Sequence, residues 1–227
     1  MFINNIQYYI NKFNINDYFE TDISSHMTLH QYKKGEEILT YGNPMEYFYF
    51  IVKGKVKIFL RLENGKSLLL RFANPLSSLG DAEVQKSPRV CTGNVQPVFE
   101  TLVIKIPFSI IDKYVVNDST FLKYIVKSLG DKLTTSSNAH SLNTSYPFKN
   151  RFASYLISIS HADDVERIDE ISTENFSDLA TFLGTSYRHL CRVVRELEDE
   201  KLIKKEGKQF IILDYDGLES LSGGFYE

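Results

Sequence analysis

Cysteine is scarce in this 227-residue chain: Cys91 and Cys191 are the only two, they lie far apart, and no CxxC occurs. One chain of this kind cannot assemble a zinc site or a four-cysteine iron–sulfur cluster, and thiols so placed fit a reduced, cytoplasmic protein. Histidine is missing where a metal enzyme would need it, with none between Gln31 and Ala139. His26 and His30 stand at i, i+4 near the N-terminus without a third ligand nearby, a pair more often incidental than metal-binding. Long apolar runs are also absent. No segment approaches the length of a membrane-crossing helix, and no basic region leads into an uninterrupted apolar stretch at the start, so neither a membrane nor a secretory route is expected. A glycine-rich phosphate loop and a histidine-based triad are lacking too. No catalytic residue, metal ligand or cofactor can be named, and an enzyme is not expected.

What remains is a chain with a hydrophobic share of 43% and a formal net charge of −3, enough apolar content for a core in two domains. The charge alone does not favour nucleic acid, but its distribution does. Between Thr173 and Lys208 acids and bases number seven each, with the acids clustered at Glu196 to Glu200 and the bases on the surrounding helix and hairpin. Counterion release depends on such local grouping and not on the sum.

The stretch NFSDLATFLGTSYRHLCRVVREL, Asn175 to Leu197, carries two helical patterns broken at Gly184. Phe176, Leu179, Ala180 and Leu183 repeat at helical spacing after a polar cap at Asn175 and an acidic first turn at Asp178. Thr185 and Ser186 then stand where a second helix needs a cap. In that helix Leu190, Val193, Val194 and Leu197 form one apolar face, with Arg188, Arg192 and Arg195 roughly opposite. A solvated charged face is the ordinary reading of three arginines. Here the glycine-centred turn, the absence of acids on the arginine face before Glu196 and the sequel favour a helix-turn-helix whose guanidinium groups enter a DNA major groove. The sequel is two short strands about Gly207, a wing, whose Lys204, Lys205 and Lys208 suit phosphates. Ser186, Tyr187 and His189 lie at the start and flank of the helix as further DNA contacts; packing is an even alternative for Tyr187, which the periodicity turns partly inward.

Upstream, residues 1 to about 30 read as a helical lead-in with Phe2, Ile6, Tyr9, Ile10 and Phe13 on one side. Short strands follow at Glu37–Thr40, Tyr47–Val52, Lys55–Leu62, Ser67–Phe72 and Val95–Ile106, with turn signals at Gly42-Asn43-Pro44, Lys53-Gly54, Asn64-Gly65 and Asn74-Pro75. Such spacing predicts a small barrel or jelly roll. A metal-dependent cupin enzyme shares that architecture and is disfavoured by the missing histidines.

From Ser119 to about Tyr146 the apolar and polar positions Leu122, Val126, Leu129, Leu133, Ser136, His140 and Asn143 alternate by four and three, a heptad seam. Burial within one chain would explain it; a homodimer explains it better, because helix-turn-helix proteins read paired half-sites. Tyr146-Pro147 breaks the helix and a new one begins at Phe148, with Phe152, Tyr155, Leu156 and Ile159 inward. The chain thus reads as α+β: residues 1–118 a β-roll sensor domain, 119–146 a dimerisation helix, 147–227 a winged helix-turn-helix domain.

That order resembles the Crp/Fnr family of bacterial transcription regulators over nearly the whole chain. YKKGEEILTYGNPMEYFYFIVKGKVKIF resembles the family's opening roll, a double-stranded β-helix of the cyclic-nucleotide-binding kind with Gly35, Gly42 and Gly54 at turns. GTSYRHLCRVVRELEDEKLI resembles its recognition helix and the start of its wing, and SYRHL with SYPFKNR is similar to the YeiL-like branch. The resemblance implies a DNA-binding transcription regulator that engages double-stranded DNA as a homodimer, with RNA polymerase as a further partner. It also implies an effector site within LGDAEVQKSPRVC, where Gly80, Asp81 and Arg89 take the places of the family's Gly-Glu pair and phosphate-binding arginine. Asp81 is one methylene shorter than the family's acid, the cassette is about one residue shorter, and Val90 replaces a hydroxyl residue, so cyclic AMP is not the expected ligand. Arg89 could bind another anion or pair with Asp81 or Glu83. The family's cysteine-bound clusters and haem ligands have no counterpart here. Cys91 could be a redox thiol or, as is commoner, a buried inert one. Arg192 falls where a base-contacting arginine is widespread, and Arg188 where many members carry a glutamate. A second reading makes the chain a small-molecule receptor whose DNA binding is secondary.

Overall fold

The computed structural model describes residues 5–61, 63, 65–145, 147–160, 176–207 and 209–223, the side chains of 135–145 excepted. Contacts divide the chain into two compact units, one of Met1–Ile58 with Ala73–Ser137 and one of Phe59–Phe72 with Asn138–Glu227.

The first unit opens with α1 (Ile6–Lys12), whose Tyr9 and Ile10 are buried. This helix is much shorter than the expected lead-in. Asn14 adopts a left-handed conformation at φ 50°, and 3-10 turns at Ile15–Tyr18 and Ser24–His26 replace a continuous helix. His30 therefore lies not one turn from His26 but on a strand, β1 (Thr28–Tyr32). The His26 ring stacks on Tyr114 and the His30 ring lies against Tyr32, so the i, i+4 pairing does not exist. TLHQY offers no apolar alternation because β1 is an edge strand with only partial burial, and the periodic signal of a strand is lost.

The other strands are β2 (Tyr47–Lys53), β3 (Val56–Arg61), β4 (Ser67–Ala73), β5 (Ser78–Leu79), β6 (Asn94–Pro97) and β7 (Thr101–Pro107). They form two sheets, ordered β1-β7-β2-β5 and β4-β3-β6. Two strand expectations need correction. Glu37–Thr40 is no strand; Leu39 makes only an isolated bridge to Val95. The long run from Val95 to Ile106 is two strands, separated where the chain passes Gly54. Gly54 sits at φ +89°, and a Cβ there would approach the Glu100 carbonyl to 2.7 Å, so only glycine suits this crossing.

After β7 a short helix, α2 (Phe108–Ile110), widens into a π-turn over Ile111–Val115. Then comes α3 (Ser119–Ser145), the expected long helix. The buried Asp118 carboxylate accepts the amides of Thr120 at 2.9 Å and Phe121 at 3.0 Å, an N-terminal cap complementary to the helix dipole. Aromatic rings hold its first turns to the sheet: Phe121 lies 5.4 Å from Phe19 and 5.7 Å from Phe48, and Tyr124 lies 5.7 Å from Phe50.

In the second unit α4 (Phe148–Ile159) starts directly after Pro147, the expected break. Its Phe152, Tyr155, Leu156 and Ile159 are buried as expected. The remaining elements are α5 (Phe176–Phe182), α6 (Tyr187–Asp199), the wing strands β8 (Ile203–Glu206) and β9 (Gln209–Ile212), and α7 (Tyr215–Ser222), which packs on α4. Phe210 of the wing is fully buried, 5.6 Å from Phe152. The stretch Phe59–Phe72 belongs to this unit through rings: Phe59 meets Phe182 and Phe72 meets Tyr155. Among the described residues no helix is long and apolar enough to cross a membrane, and no cluster of metal-ligating side chains occurs.

Candidate nucleic-acid interface and effector cassette

The turn between α5 and α6 is built by backbone chemistry that the sequence dictates. Gly184 has φ +65°, its amide donates to the Thr181 carbonyl at 2.9 Å, and the Thr185 amide donates to the Ala180 carbonyl at 2.8 Å. These two bonds close α5 in the manner of a Schellman motif, which requires a left-handed residue at the Gly184 position. Ser186 then caps α6, its hydroxyl accepting the His189 amide at 3.2 Å. Thr185 does not cap; its hydroxyl lies 3.3 Å from His189 Nδ1. Asn175, the expected cap of α5, lies outside the described residues.

On α6 the apolar row is fully inward: Leu190, Val193, Val194 and Leu197 are all buried. Arg188, Arg192 and Arg195 are exposed on the other side and line one groove with Tyr187, Cys191, Glu196 and Asp199. Among the described residues Arg188 and Arg195 make no ion pair, and Arg192 meets only Glu196, at 3.6 Å with both side chains largely in solvent. Such a pair contributes little and gives way readily to a stronger partner. Tyr187 faces this groove at 54% exposure, which corrects the expectation that it turns partly inward. Hydrogen bonding to Cys191 one turn on pushes its hydroxyl above the ordinary tyrosine value. His189 is half-buried and its ring lies 5.2 Å from Phe148, so its imidazole is engaged by the protein itself.

The wing turns at Gly207, φ +61°. Lys204 pairs with Glu206 at 2.8 Å, while Lys205 is exposed with its ammonium 4.7 Å from the Phe176 ring centre. Lys208 lies outside the described residues.

Along α3, Leu122 is half-buried while Val126, Leu129 and Leu133 are 70%, 37% and 70% exposed. An apolar row left this open on a helix otherwise held to the sheet is a face without its cover. Ser136 and His140, placed on the same seam, have side chains outside the described residues.

The cassette departs from expectation. Arg89 pairs with neither the Asp81 nor the Glu83 carboxylate. Its guanidinium forks onto Asp112, with Nη1 at 2.8 Å and Nη2 at 2.6 Å from the two carboxylate oxygens. Nε donates to the Glu83 carbonyl at 3.2 Å and Nη2 to the Val84 carbonyl at 2.7 Å, and the group lies over Phe108 at 4.4 Å. Asp81 is buried and turns to α3, where it accepts Ser128 Oγ at 2.7 Å and pairs with Lys132. Gly80 sits at φ +99°, a left-handed conformation that strains any residue with a side chain. The two charged effector residues expected here, Asp81 and Arg89, thus turn to separate internal partners. Neither Lys132 nor Asp112 carried a local sequence signal. Cys91 is buried, and burial, followed by the nearby Glu83, pushes its thiol above the ordinary value, which suits an inert thiol.

Comparison with known proteins adds two domain matches. Residues 29–115 match a cyclic nucleotide-binding domain and residues 150–221 a Crp-like helix-turn-helix domain. Among curated relatives, the regulatory protein YeiL of Escherichia coli O157:H7 is 24% identical, over 91% of this chain and 90% of its own. The cAMP-activated global transcriptional regulator CRP of the same organism is 20% identical, over 83% and 90%. Among solved structures, a putative transcriptional regulator of the Crp/Fnr family from Eubacterium rectale superposes with a TM-score of 0.72 at 17% identity, covering 88% of this chain and 91% of that one. At that identity the likeness concerns the fold.

Proposed function

The chain belongs to the Crp/Fnr family of transcription regulators, with a helix-turn-helix DNA-binding domain, and from that premise we infer that it reads an inverted-repeat DNA site as a homodimer. The observation that carries this reading is α6: a buried apolar row on one side, three exposed arginines on the other, and a glycine-closed turn and wing on either flank. Arg188 and Arg192 reach base edges, where a guanidinium fork matches guanine N7 and O6. Arg188 cannot accept a hydrogen bond, so the preferred half-site carries guanine, and not cytosine, opposite it. Arg195, Ser186, Tyr187, Lys204, Lys205 and Lys208 serve the backbone and the groove edge, with His189 acting mainly to hold the helix to α4.

The exposed Val126, Leu129 and Leu133 support pairing of two α3 helices, extended through Ser136 and His140. Half-sites then lie about one turn apart, roughly 34 Å. Residues 1–118 act as sensor, 119–146 as dimerisation helix and 147–227 as DNA-binding domain, working in the cytoplasm with RNA polymerase. Any small molecule acting through Gly80, Asp81 and Arg89 is not cyclic AMP, because Arg89 has its fork on Asp112 and Val90 offers no hydroxyl.

Selection from random duplexes at stated salt tests the reading. The expected result is one enriched inverted repeat, bound with an affinity that falls steeply as salt rises. Binding without sequence preference would instead favour a receptor whose DNA contacts are secondary.

A further inference from the structure

The two residues that would anchor a ligand in the roll are both buried or half-buried charges, and both have partners from elsewhere in the same chain. Asp81 receives Lys132 Nζ, Ser128 Oγ at 2.7 Å and the Ala82 amide at 3.1 Å, with Ser78 Oγ at 3.4 Å. Lys132 also donates to the Ser78 carbonyl at 2.9 Å. The Asp81 side chain is 5% exposed and that of Lys132 22%, so the carboxylate is compensated inside the protein and not by water. Arg89 spends its guanidinium on Asp112 and two carbonyls. A buried carboxylate with one ammonium and three further donors is satisfied, and a ligand there would have to displace a charge that is already well held.

Lys132 and Ser128 stand one turn apart on α3, on the side that carries Phe121 and Tyr124 against the sheet. Successive residues turn by about 100°, which places the exposed seam of Val126, Leu129 and Leu133 about a quarter to a third of a turn away. Holding Lys132 therefore sets which side α3 presents outward.

We propose that Lys132 and Asp112 are internal counter-ions that close the cassette in place of an effector, and that the Lys132–Asp81 pair fixes the rotation of α3 and so presents the dimer seam without any ligand. The proposal rests on the reading of the chain as a dimeric regulator but is testable apart from it. Lys132 is a positioning residue: it contacts Asp81 and the Ser78 carbonyl, and it acts through the helix that carries the seam.

Hydrogen exchange on the full-length protein, purified without added small molecules, supplies the first readout. In the wild type the amides of residues 78–84 and 122–134 are protected. In Lys132→Met they exchange more than tenfold faster, and Lys132→Arg restores most of the protection. Asp81→Asn combined with Lys132→Met removes both charges, so the fold is kept while the hold on α3 is released; its fast exchange separates loss of positioning from unfolding. The second readout is affinity for the selected duplex, expected to fall more than tenfold in Lys132→Met and to recover in Lys132→Arg. Addition of cyclic AMP or inorganic phosphate leaves the wild type unchanged in both. Wild-type exchange in Lys132→Met and in the double variant, or wild-type α3 protected only after cyclic AMP or phosphate is added, overturns the proposal. A wild type that selects no duplex sinks the regulator reading alone, because exchange still decides the role of Lys132.

Discussion

Arg89 in the roll and Arg192 on the recognition helix carry the same guanidinium group and meet opposite surroundings. Arg89 is 20% exposed and forks onto Asp112 with two carbonyls filling further donors, whereas Arg192 is 68% exposed and has only a loose contact with Glu196. One cation is spent inside the fold and the other is held out. The difference teaches that a family position does not define a role by residue type. Arg89 is held as a structural group because Asp112, 23 residues along the chain, takes its fork, and Arg192 stays open to a partner because its helix buries only the opposite side.

Removing the exposed apolar row gives the largest expected effect on this contrast between closed and open surfaces. Leu129→Asp sets one carboxylate from each protomer in the seam, close to its twin, and burying an unpaired charge costs several kcal/mol. Sedimentation should give a monomer, and binding to the inverted repeat should fall to the weak, salt-sensitive level of a single DNA-binding domain. The monomer's own fold should survive, because Leu129 lies outside the buried core. A Leu129→Asp protein that still sediments as a dimer places the seam elsewhere.

The next effect separates the two arginines directly. Arg192→Ala is expected to cost on the order of 1–3 kcal/mol in DNA binding and to relax preference at one base step, with no change in thermal unfolding. Arg89→Ala should do the reverse. It strips Asp112 and the carbonyls of Glu83 and Val84 of their donor, yet Asp112 is 45% exposed and solvent replaces much of the loss, so about 1 kcal/mol of stability is at stake. In a protein of this size that lowers the unfolding midpoint by about 2–4 °C. Calorimetry and a duplex titration on both variants make the comparison. Equal loss of DNA affinity in the two would mean that Arg89 is not merely structural.

How far the sequence could be read follows from the range of the forces involved. α6 was legible because amphipathic spacing, a glycine stop and a serine cap are local; the structure matches each of them, down to Ser186 accepting the His189 amide. The long helix and its break at Pro147 were legible for the same reason. β1 was not, since TLHQY on a sheet edge has no alternation to detect, and its placement follows only from pairing with β7. The run from Val95 to Ile106 hid a crossing whose cause, the close approach of Gly54 to Glu100, lies far back in the chain. The cassette was legible as a position and illegible as chemistry. Lys132 stands 51 residues from Asp81 and Asp112 stands 23 from Arg89, distances over which no periodicity carries information. Tyr187 failed for a subtler reason: at the first position of α6 it lines the groove with Cys191 one turn on and stays 54% exposed, so periodicity alone does not turn it inward.

The smallest expected effect concerns the wing, and it sharpens the contrast between cations that read sequence and cations that only neutralise. Lys205 is exposed, its amide donates to Glu198 Oε1 at 2.8 Å, and its ammonium lies 4.7 Å from the Phe176 ring centre. The backbone bond fixes where the wing leaves α6, and the ring contact keeps the ammonium near the helix-turn-helix without neutralising it. A lysine held in this way contributes a point charge to a phosphate and cannot fork onto a base edge. Lys205→Ala should therefore weaken all duplexes alike, by a few-fold at moderate salt, and lower the salt slope by about one unit while the selected sequence stays the same. The backbone amide that Glu198 accepts is kept in alanine, so the wing's course is not disturbed. Titrations of the selected and a scrambled duplex at several salt concentrations, for wild type and variant, decide it. Should Lys205→Ala alter the preferred sequence while Arg192→Ala preserves it, the wing is the reading element and α6 the phosphate clamp, and the roles assigned to the two groups of cations must be exchanged.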